Sequence, residues 1–284
     1  MNLKNKILSF AAAISIYSLP AGAQGLKLPA PSPLQIVKQA FALSEITIEY
    51  SRPGAKNRVV YGDVVPFGKI WRTGANASTK VAFAEDVKVE GTAVASGTYA
   101  LYTIPNKDNW EIIFYKDLKL GGNVDEFKKE NELFRFTVKP TPLNDFVETF
   151  MINFSAITST SCVMQLDWEK TRVSFNITAD IDARVMKNIE SSLATDSRPY
   201  FQAATYFYDT NKDLAKAGMW VDKAIENNPK AYYMVMLKAK IQAKQNDKKG
   251  AIETAKKVVV MATEEKDDAY VKQAQKLIAE LEKK

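Results

Sequence analysis

The spacing of hydrophobic residues changes once along this chain, and that change limits the folds open to it. Over residues 34–181, apolar and polar side chains alternate in short runs such as residues 45–50, which is typical of half-buried strands. From Asp182 onward the spacing becomes that of helices, and glycine and β-branched residues become rarer. The sequence therefore predicts a β-rich domain over residues 34–181 and a separate helical domain over residues 182–284.

The β-rich domain is expected to be antiparallel. It contains about nine or ten strand-like runs, and no helical pattern separates them. Turn-forming residues lie between successive runs at Glu90-Gly91, at Ser96-Gly97 and over residues 105–109. Strands joined by such short connections run in opposite directions, which gives a sandwich or a barrel. The chain is therefore assigned to the α+β class, as an antiparallel β-sandwich or barrel-like domain followed by an all-α domain.

The helical domain contains an internal repeat. Three positions of a first copy recur 34 residues later in a second: Ala217, Val221 and Ala224, then Ala251, Ala255 and Val258. This is the period of tetratricopeptide repeats, which are pairs of helices. Small residues at helical spacing also occur in plain helical hairpins, and Thr263 stands where the repeat usually has proline. We expect tetratricopeptide-like helical hairpins, closed by one more helix over residues 266–284.

The first 23 residues have the three parts of a secretory signal peptide. Two lysines precede an apolar stretch over residues 7–21, and the small residues Ala21 and Ala23 frame a cleavage site. A stretch of about 15 residues is shorter than the roughly 20 needed to span a membrane as a helix. We therefore expect cleavage near Ala23, export to the periplasm or beyond, and no membrane span in the mature chain. Residues 24–33 contain three prolines and are predicted to form an extended leader.

Histidine is absent from the chain and cysteine occurs once, which excludes several chemistries. Without histidine there is no Ser-His-Asp or Cys-His catalysis and no histidine-ligated zinc. Cys162 cannot form an intramolecular disulfide and is expected to be a buried core residue. The sequence thus indicates no catalytic residue, no metal site and no cofactor, and it favours binding over catalysis without excluding an enzyme.

The net charge argues against a nucleic-acid partner. Removal of the two lysines of the signal peptide lowers the formal charge from +6 to +4, and the remaining basic excess lies in the helical domain. Acidic residues are spread among those lysines, whereas nucleic-acid-binding proteins concentrate lysine and arginine on one face. We interpret the basic residues as a solvated helical surface.

One segment of the β-rich domain, over residues 50–80, is unusually rich in arginine, glycine, proline and aromatic residues. Loops carry function more often than strands do, and arginine beside aromatic rings can clamp an anion or stack on a planar or sugar ring. Seven residues are candidates for ligand binding: Tyr50, Arg52, Arg58, Tyr61, Trp71, Arg72 and Asn76. In the structural alternative, which we favour, the arginines bind backbone carbonyls and Trp71 fills one end of the barrel.

The same residues resemble the domain of unknown function 2911 family. The matching stretches are Tyr50-Ser51-Arg52-Pro53, Arg58, Tyr61-Gly62, Val65-Pro66-Phe67-Gly68, Trp71-Arg72-Thr73-Gly74-Ala75-Asn76, Gly97-Thr98-Tyr99, Pro105 and Trp110. The resemblance extends over residues 34–178, with Phe67 and Ser96 as mild departures where tyrosine and alanine are expected. It implies an exported protein of Bacteroidetes-type bacteria, in some members with a repeat-like helical tail, and it implies no catalytic role.

Two functions of different classes remain open. In the first, which we favour, the chain is an extracytoplasmic binding or scaffold protein, and residues 182–284 bind a protein or peptide partner. In the second, the β-rich domain binds a glycan or an anionic small molecule, or hydrolyses a glycan, with Tyr61, Trp71 and Tyr102 as platforms and the arginines as clamps. Hydrolysis requires paired carboxylates, for which Asp63 and Glu85 are candidates.

Overall fold

The computed structural model describes residues 28–194 and 199–283. It divides into two compact units, with the boundary between Ile177 and Thr178. The predicted signal peptide and its cleavage point near Ala23 lie outside the described residues. Residues 28–33, at the end of the predicted leader, contain no helix or strand.

The first unit contains ten strands and two single-turn 3₁₀ helices, at Val124–Glu126 and Lys129–Asn131. The strands are β1 (Leu34–Phe41), β2 (Ser44–Ser51), β3 (Ala75–Phe83), β4 (Val87–Val89), β5 (Thr92–Val94), β6 (Gly97–Ile104), β7 (Trp110–Tyr115), β8 (Glu132–Val138), β9 (Thr141–Ser155) and β10 (Ser161–Thr178). The hairpin predicted at Glu90-Gly91 joins β4 to β5, and both of its turn residues have positive φ.

These strands form two antiparallel sheets that pack face to face. Six strands form one sheet in the order β1-β2-β3-β6-β7-β8, and four form the other in the order β5-β4-β10-β9. Aromatic rings join the two inner faces: Phe175 of β10 lies 5.4 Å from Phe136 of β8, and Phe150 of β9 lies 5.8 Å from Tyr50 of β2. The predicted antiparallel β domain followed by an all-α domain is confirmed, with the β domain as a sandwich.

The loop over residues 116–131 covers part of the outer face of the six-stranded sheet. Phe127 of this loop stacks on Tyr115 with ring centroids 4.4 Å apart, and the Tyr115 hydroxyl accepts a hydrogen bond from the Lys128 amide at 3.0 Å. We call residues 116–131 the diglycine loop because it contains Gly121 and Gly122. These contacts hold it against β6 and β7.

The second unit consists of six helices: α1 (Asp182–Ala194), α2 (Tyr200–Asp209), α3 (Leu214–Asn227), α4 (Tyr232–Lys244), α5 (Lys248–Glu264) and α6 (Asp268–Glu282). From α2 onward each helix packs against the next, and α4 also contacts α2 and α6. Ala217, Ala239 and Ala251 are fully buried, so the helix axes approach closely at these positions. Asp213 caps α3, because its carboxylate accepts a hydrogen bond from the Lys216 amide at 3.0 Å.

Cys162 is buried in β10, as predicted, and burial raises the pKa of its thiol to about 11. We therefore expect iodoacetamide at pH 8 to label the native chain very slowly and the chain in denaturant rapidly, since only the thiolate reacts. A Cys162→Ser, Ser159→Cys double variant is the control, because Ser159 is exposed in the loop before β10 and a cysteine there should react without denaturant. Equally rapid labelling of native Cys162, measured by mass spectrometry, would contradict its burial.

Candidate functional site

Backbone hydrogen bonds fix the long segment between β2 and β3 onto the sandwich. We call residues 52–74 the arginine loop. The Trp71 amide donates to the Thr103 carbonyl at 2.8 Å, and the Thr103 amide donates to the Trp71 carbonyl at 2.9 Å. At the other end of the loop, the Phe150 amide donates to the Pro53 carbonyl at 2.9 Å. The loop is therefore bound to both sheets, to β6 in one and to β9 in the other.

A cluster of aromatic rings lies beneath the arginine loop. Trp71 stacks on Trp168 at 5.8 Å and packs edge-on against Phe150 at 5.1 Å. Tyr61 packs edge-on against Trp110 at 5.0 Å and against Trp168 at 6.2 Å. The rings of Trp71 and Tyr61 are thus half-buried, and their packing holds the loop against the sandwich.

Five of the seven candidate residues make side-chain hydrogen bonds within the protein, including Trp71, whose Nε1 donates to the Gly74 carbonyl at 3.0 Å. Arg52 Nε donates to the Phe150 carbonyl at 2.9 Å, and Arg58 donates from Nε to Ala55 and from Nη2 to Gly54, at 3.0 and 2.9 Å. Asn76 Nδ2 donates to the Ser32 carbonyl and to Ser51 Oγ, both at 3.2 Å. The Tyr50 hydroxyl donates to Gln35 Oε1 at 3.0 Å and accepts from the Ile152 amide at 2.9 Å. These contacts agree with the structural alternative.

Arg72 differs from the other arginines of the loop. Its guanidinium makes no hydrogen bond and no ion pair with the residues that the structure describes, and its Nε is buried without an acceptor. The guanidinium lies against Gly122 of the diglycine loop, where a Cβ would overlap Nη1. A buried N–H without an acceptor costs about 1–3 kcal/mol, so an arginine held this way is destabilising unless something binds it.

Tyr102 and Ser78 complete the surroundings of Arg72. Tyr102 is buried, and its hydroxyl donates to the Gly121 carbonyl at 2.8 Å, which fixes the backbone beside Gly122. Burial raises the pKa of Tyr102, while the Ser78 hydroxyl and the positive charge of Arg72 act in the opposite direction. Ser78, which is buried, and Arg72 thus both lie close to the Tyr102 hydroxyl. Tyr102 is a positioning residue for this loop and no sugar platform.

A cleft of about 350 Å³ lies between the arginine loop and the diglycine loop. Its lining includes three cationic side chains, Arg58, Lys69 and Arg72, and none of its lining residues carries a carboxylate. Trp71 and Trp168 form part of its wall. Of the seven candidates, Arg58, Trp71 and Arg72 thus line one cleft. Lys69 and Gly122 also line it, and they were not among the candidates predicted from the sequence.

The carboxylates suggested for hydrolysis are not brought together. Glu85 lies two residues after the last residue of β3, where Phe83 pairs with the start of β6, and it accepts a hydrogen bond from the Leu43 amide at 3.1 Å. Asp63 lies in the arginine loop two residues after Tyr61, whose ring contacts Trp110 at the start of β7, beside the end of β6. The two carboxylates therefore lie toward opposite ends of the six-stranded sheet. Glycoside hydrolases hold their two carboxylates within about 5–9.5 Å.

A second cleft, of about 260 Å³, is lined by Tyr61, Phe67 and Trp110, with the exposed Lys107 and Lys170. Burial raises the pKa of the Tyr61 hydroxyl, and the nearby carboxylates of Glu169 and Asp167 raise it further. In the part of the chain that the structure covers, no group of three or more histidine, cysteine, aspartate or glutamate residues is placed to hold a metal ion. Within the same residues, no helix is both long and apolar enough to cross a membrane.

The contrast between Arg52 and Arg72 predicts opposite effects on stability. We expect Arg52→Gln to lower the free energy of unfolding by about 1–3 kcal/mol, because it removes a charge-assisted bond to a buried carbonyl. Arg72→Gln should leave that free energy unchanged or raise it, since no bond is lost. Urea unfolding followed by tryptophan fluorescence measures both. A loss of stability in Arg72→Gln as large as in Arg52→Gln would make Arg72 a structural residue.

The part of the chain that forms the cleft matches a known protein family. A family model described as Protein of unknown function (DUF2911) matches residues 32–177, slightly more than half of the 284-residue chain. This range includes both loops of the cleft and confirms the resemblance seen in the sequence. No curated protein and no solved structure matches the chain at a significant level. The chain belongs to the DUF2911 family.

Proposed function

We propose that this chain is an exported binding protein whose β domain binds a small anionic ligand in the cleft between the arginine loop and the diglycine loop. The observation that carries the proposal is the Arg72 guanidinium, which lies at the cleft with a buried Nε–H and no acceptor. Export is inferred from the signal-peptide pattern of the first 23 residues.

The charges around the cleft favour an anion. Arg58, Lys69 and Arg72 line it, and no lining residue offers a carboxylate to neutralise them. Arg58 is held by two carbonyls through Nε and Nη2, so its charge is fixed near the cleft without being cancelled. A guanidinium offers planar N–H pairs that match carboxylate, phosphate and sulfate oxygens. A neutral sugar would leave these charges uncompensated, so an acidic sugar fits the cleft better than a neutral one.

A ligand of this class should bind measurably to the purified chain. In calorimetric titrations at low salt we expect phosphate and glucuronate to bind and glucose not to bind. Arg72→Gln and Lys69→Gln should each weaken binding by about tenfold, which corresponds to one lost charge-assisted hydrogen bond. Lys88→Gln is the matched control, because Lys88 is exposed on β4 and does not line the cleft. Glucose binding as tight as glucuronate binding, or equal weakening by Lys88→Gln, would overturn the proposal.

The helical unit supports a second binding function, that of a protein or peptide interaction surface. Its 34-residue offset favours tetratricopeptide-like packing, and α2 and α4 are in contact, as the first helices of successive repeats are. Phe201 of α2 lies 5.3 Å from Tyr233 of α4, which is 38% exposed. Further along the same pair of helices, Lys244 Nζ lies 4.0 Å from the ring centre of Tyr208. Aromatic and cationic side chains are thus presented together on α2 and α4, as in many protein interfaces.

Point variants of the full chain test this second function. In affinity capture from periplasmic extract, a partner held by α2 and α4 should be lost with Tyr233→Ser. It should be retained with Val260→Ser, which alters an accessible side chain, 59% exposed, on α5. Exposed residues of this kind change stability little, so loss of capture reports on binding. Retention of the same partner by both variants would contradict a role for the α2 and α4 surface.

A further inference from the structure

We propose that the ligand of this cleft is amphipathic, with an anionic group held by Arg72 and Lys69 and a hydrocarbon portion packed on the apolar wall. This inference rests on the proposed anion-binding function and names the class of ligand more closely. Apart from its cations, the cleft is lined largely by apolar side chains: Pro53, Val64, Val65, Pro66, Ile70 and Val124. Sites for free phosphate are instead built from backbone N–H groups of glycine-rich turns and helix starts.

Both loops that border the cleft contribute accessible aliphatic side chains to its wall. Val64 of the arginine loop lines the cleft and is 38% exposed, whereas Val59, on the same turn, lies outside the lining. Val124 of the diglycine loop also lines the cleft and is half-buried. The two loops that border the cleft therefore both present aliphatic surface to water. Covering such surface is favourable by about 25 cal/mol per Å², which a ligand with a hydrocarbon portion gains and inorganic phosphate does not.

The exposed valines are held outward by a rigid turn. The Val60 amide donates to Glu169 Oε1 of β10 at 2.7 Å, and the Val65 amide donates to the Val60 carbonyl at 2.8 Å. The Val64 amide donates to the Val59 carbonyl at 3.3 Å. Since the ends of this turn are fixed, Val64 cannot turn inward to bury its side chain. A pre-formed apolar surface beside a cluster of cations matches one molecule that carries both features.

The size of the cleft suits a small molecule. Its volume of about 350 Å³ falls within the range of about 300–1,000 Å³ that is usual for small-molecule sites. Single-chain amphiphiles such as a medium-chain alkyl phosphate or carboxylate combine a charged head with a short hydrocarbon tail. We commit to such a free amphiphile as the occupant, because the cleft offers both the cations and the apolar wall within this volume.

Calorimetry of the full chain with three probes tests the inference: decyl phosphate below its micelle concentration, inorganic phosphate and decyl maltoside. Decyl phosphate should bind at least tenfold more tightly than inorganic phosphate, and decyl maltoside, which lacks a charge, should not saturate the protein. Val64→Ser should weaken decyl phosphate binding about fivefold, since part of a buried side-chain contact is lost, and leave phosphate binding unchanged. Val59→Ser is the matched control, because Val59 lies on the same turn and outside the cleft lining.

The outcomes separate this inference from the proposed function. Equal affinity for decyl phosphate and phosphate, both weakened by Arg72→Gln, would retain anion binding and overturn the amphipathic ligand. Absence of binding by both anions would overturn both proposals. Equal weakening of decyl phosphate binding by Val59→Ser and Val64→Ser would overturn the assignment of the hydrocarbon portion to the cleft. Binding to phosphatidylglycerol vesicles without binding to monomeric decyl phosphate would replace the free amphiphile by a membrane surface.

Discussion

The stacking of Trp71 on Trp168 holds together the end of the β domain that carries the cleft. Trp168 belongs to the long strand β10 of one sheet, while Trp71 pairs through its backbone with β6 of the other. The contact therefore joins an irregular loop to both layers of the sandwich. Because aromatic rings bury large areas at little entropic cost, a few of them can fix a loop of this length. The side chains of the arginine loop therefore project from a fixed backbone.

Rigid placement explains why three arginines of one loop have different roles. The Nε groups of Arg52 and Arg58 donate hydrogen bonds to backbone carbonyls within the protein. Arg72 follows Trp71 directly and lies against Gly122, where none of the residues that the structure describes accepts a hydrogen bond from its Nε. Proteins tolerate such a cost chiefly at sites that bind something. The same framework thus stabilises the fold and leaves one cation available.

The sequence predicts much of the fold because local patterns determine it. The alternation over residues 45–50 matches β2, and the helical spacing from Asp182 onward matches the helices α1 to α6. The apolar runs over residues 163–168 and 172–177 predict two separate strands, but the structure has one strand, β10. Its polar interruption is a bulge at Glu169, with φ 51°, which bends the strand without ending it. The candidate segment was also recognised, as a concentration of arginine and aromatic residues. Which arginines of this segment bind backbone carbonyls and which one stays free was not predictable from the sequence. The Phe150 carbonyl and Gly122 are distant in the sequence from Arg52 and Arg72, respectively, and come close to them only in the folded chain.

The central claim is that Arg72 is the arginine left free for a ligand. Nuclear magnetic resonance of the arginine Nε–Hε groups observes this directly, with signals assigned from the Arg52→Gln, Arg58→Gln and Arg72→Gln variants. On addition of phosphate, the account predicts a saturable shift of the Arg72 signal and slower exchange of its proton with water. The Arg52 signal should remain unchanged, since its Nε is already bound to the Phe150 carbonyl. An Arg72 signal that is unaffected by phosphate would contradict the account.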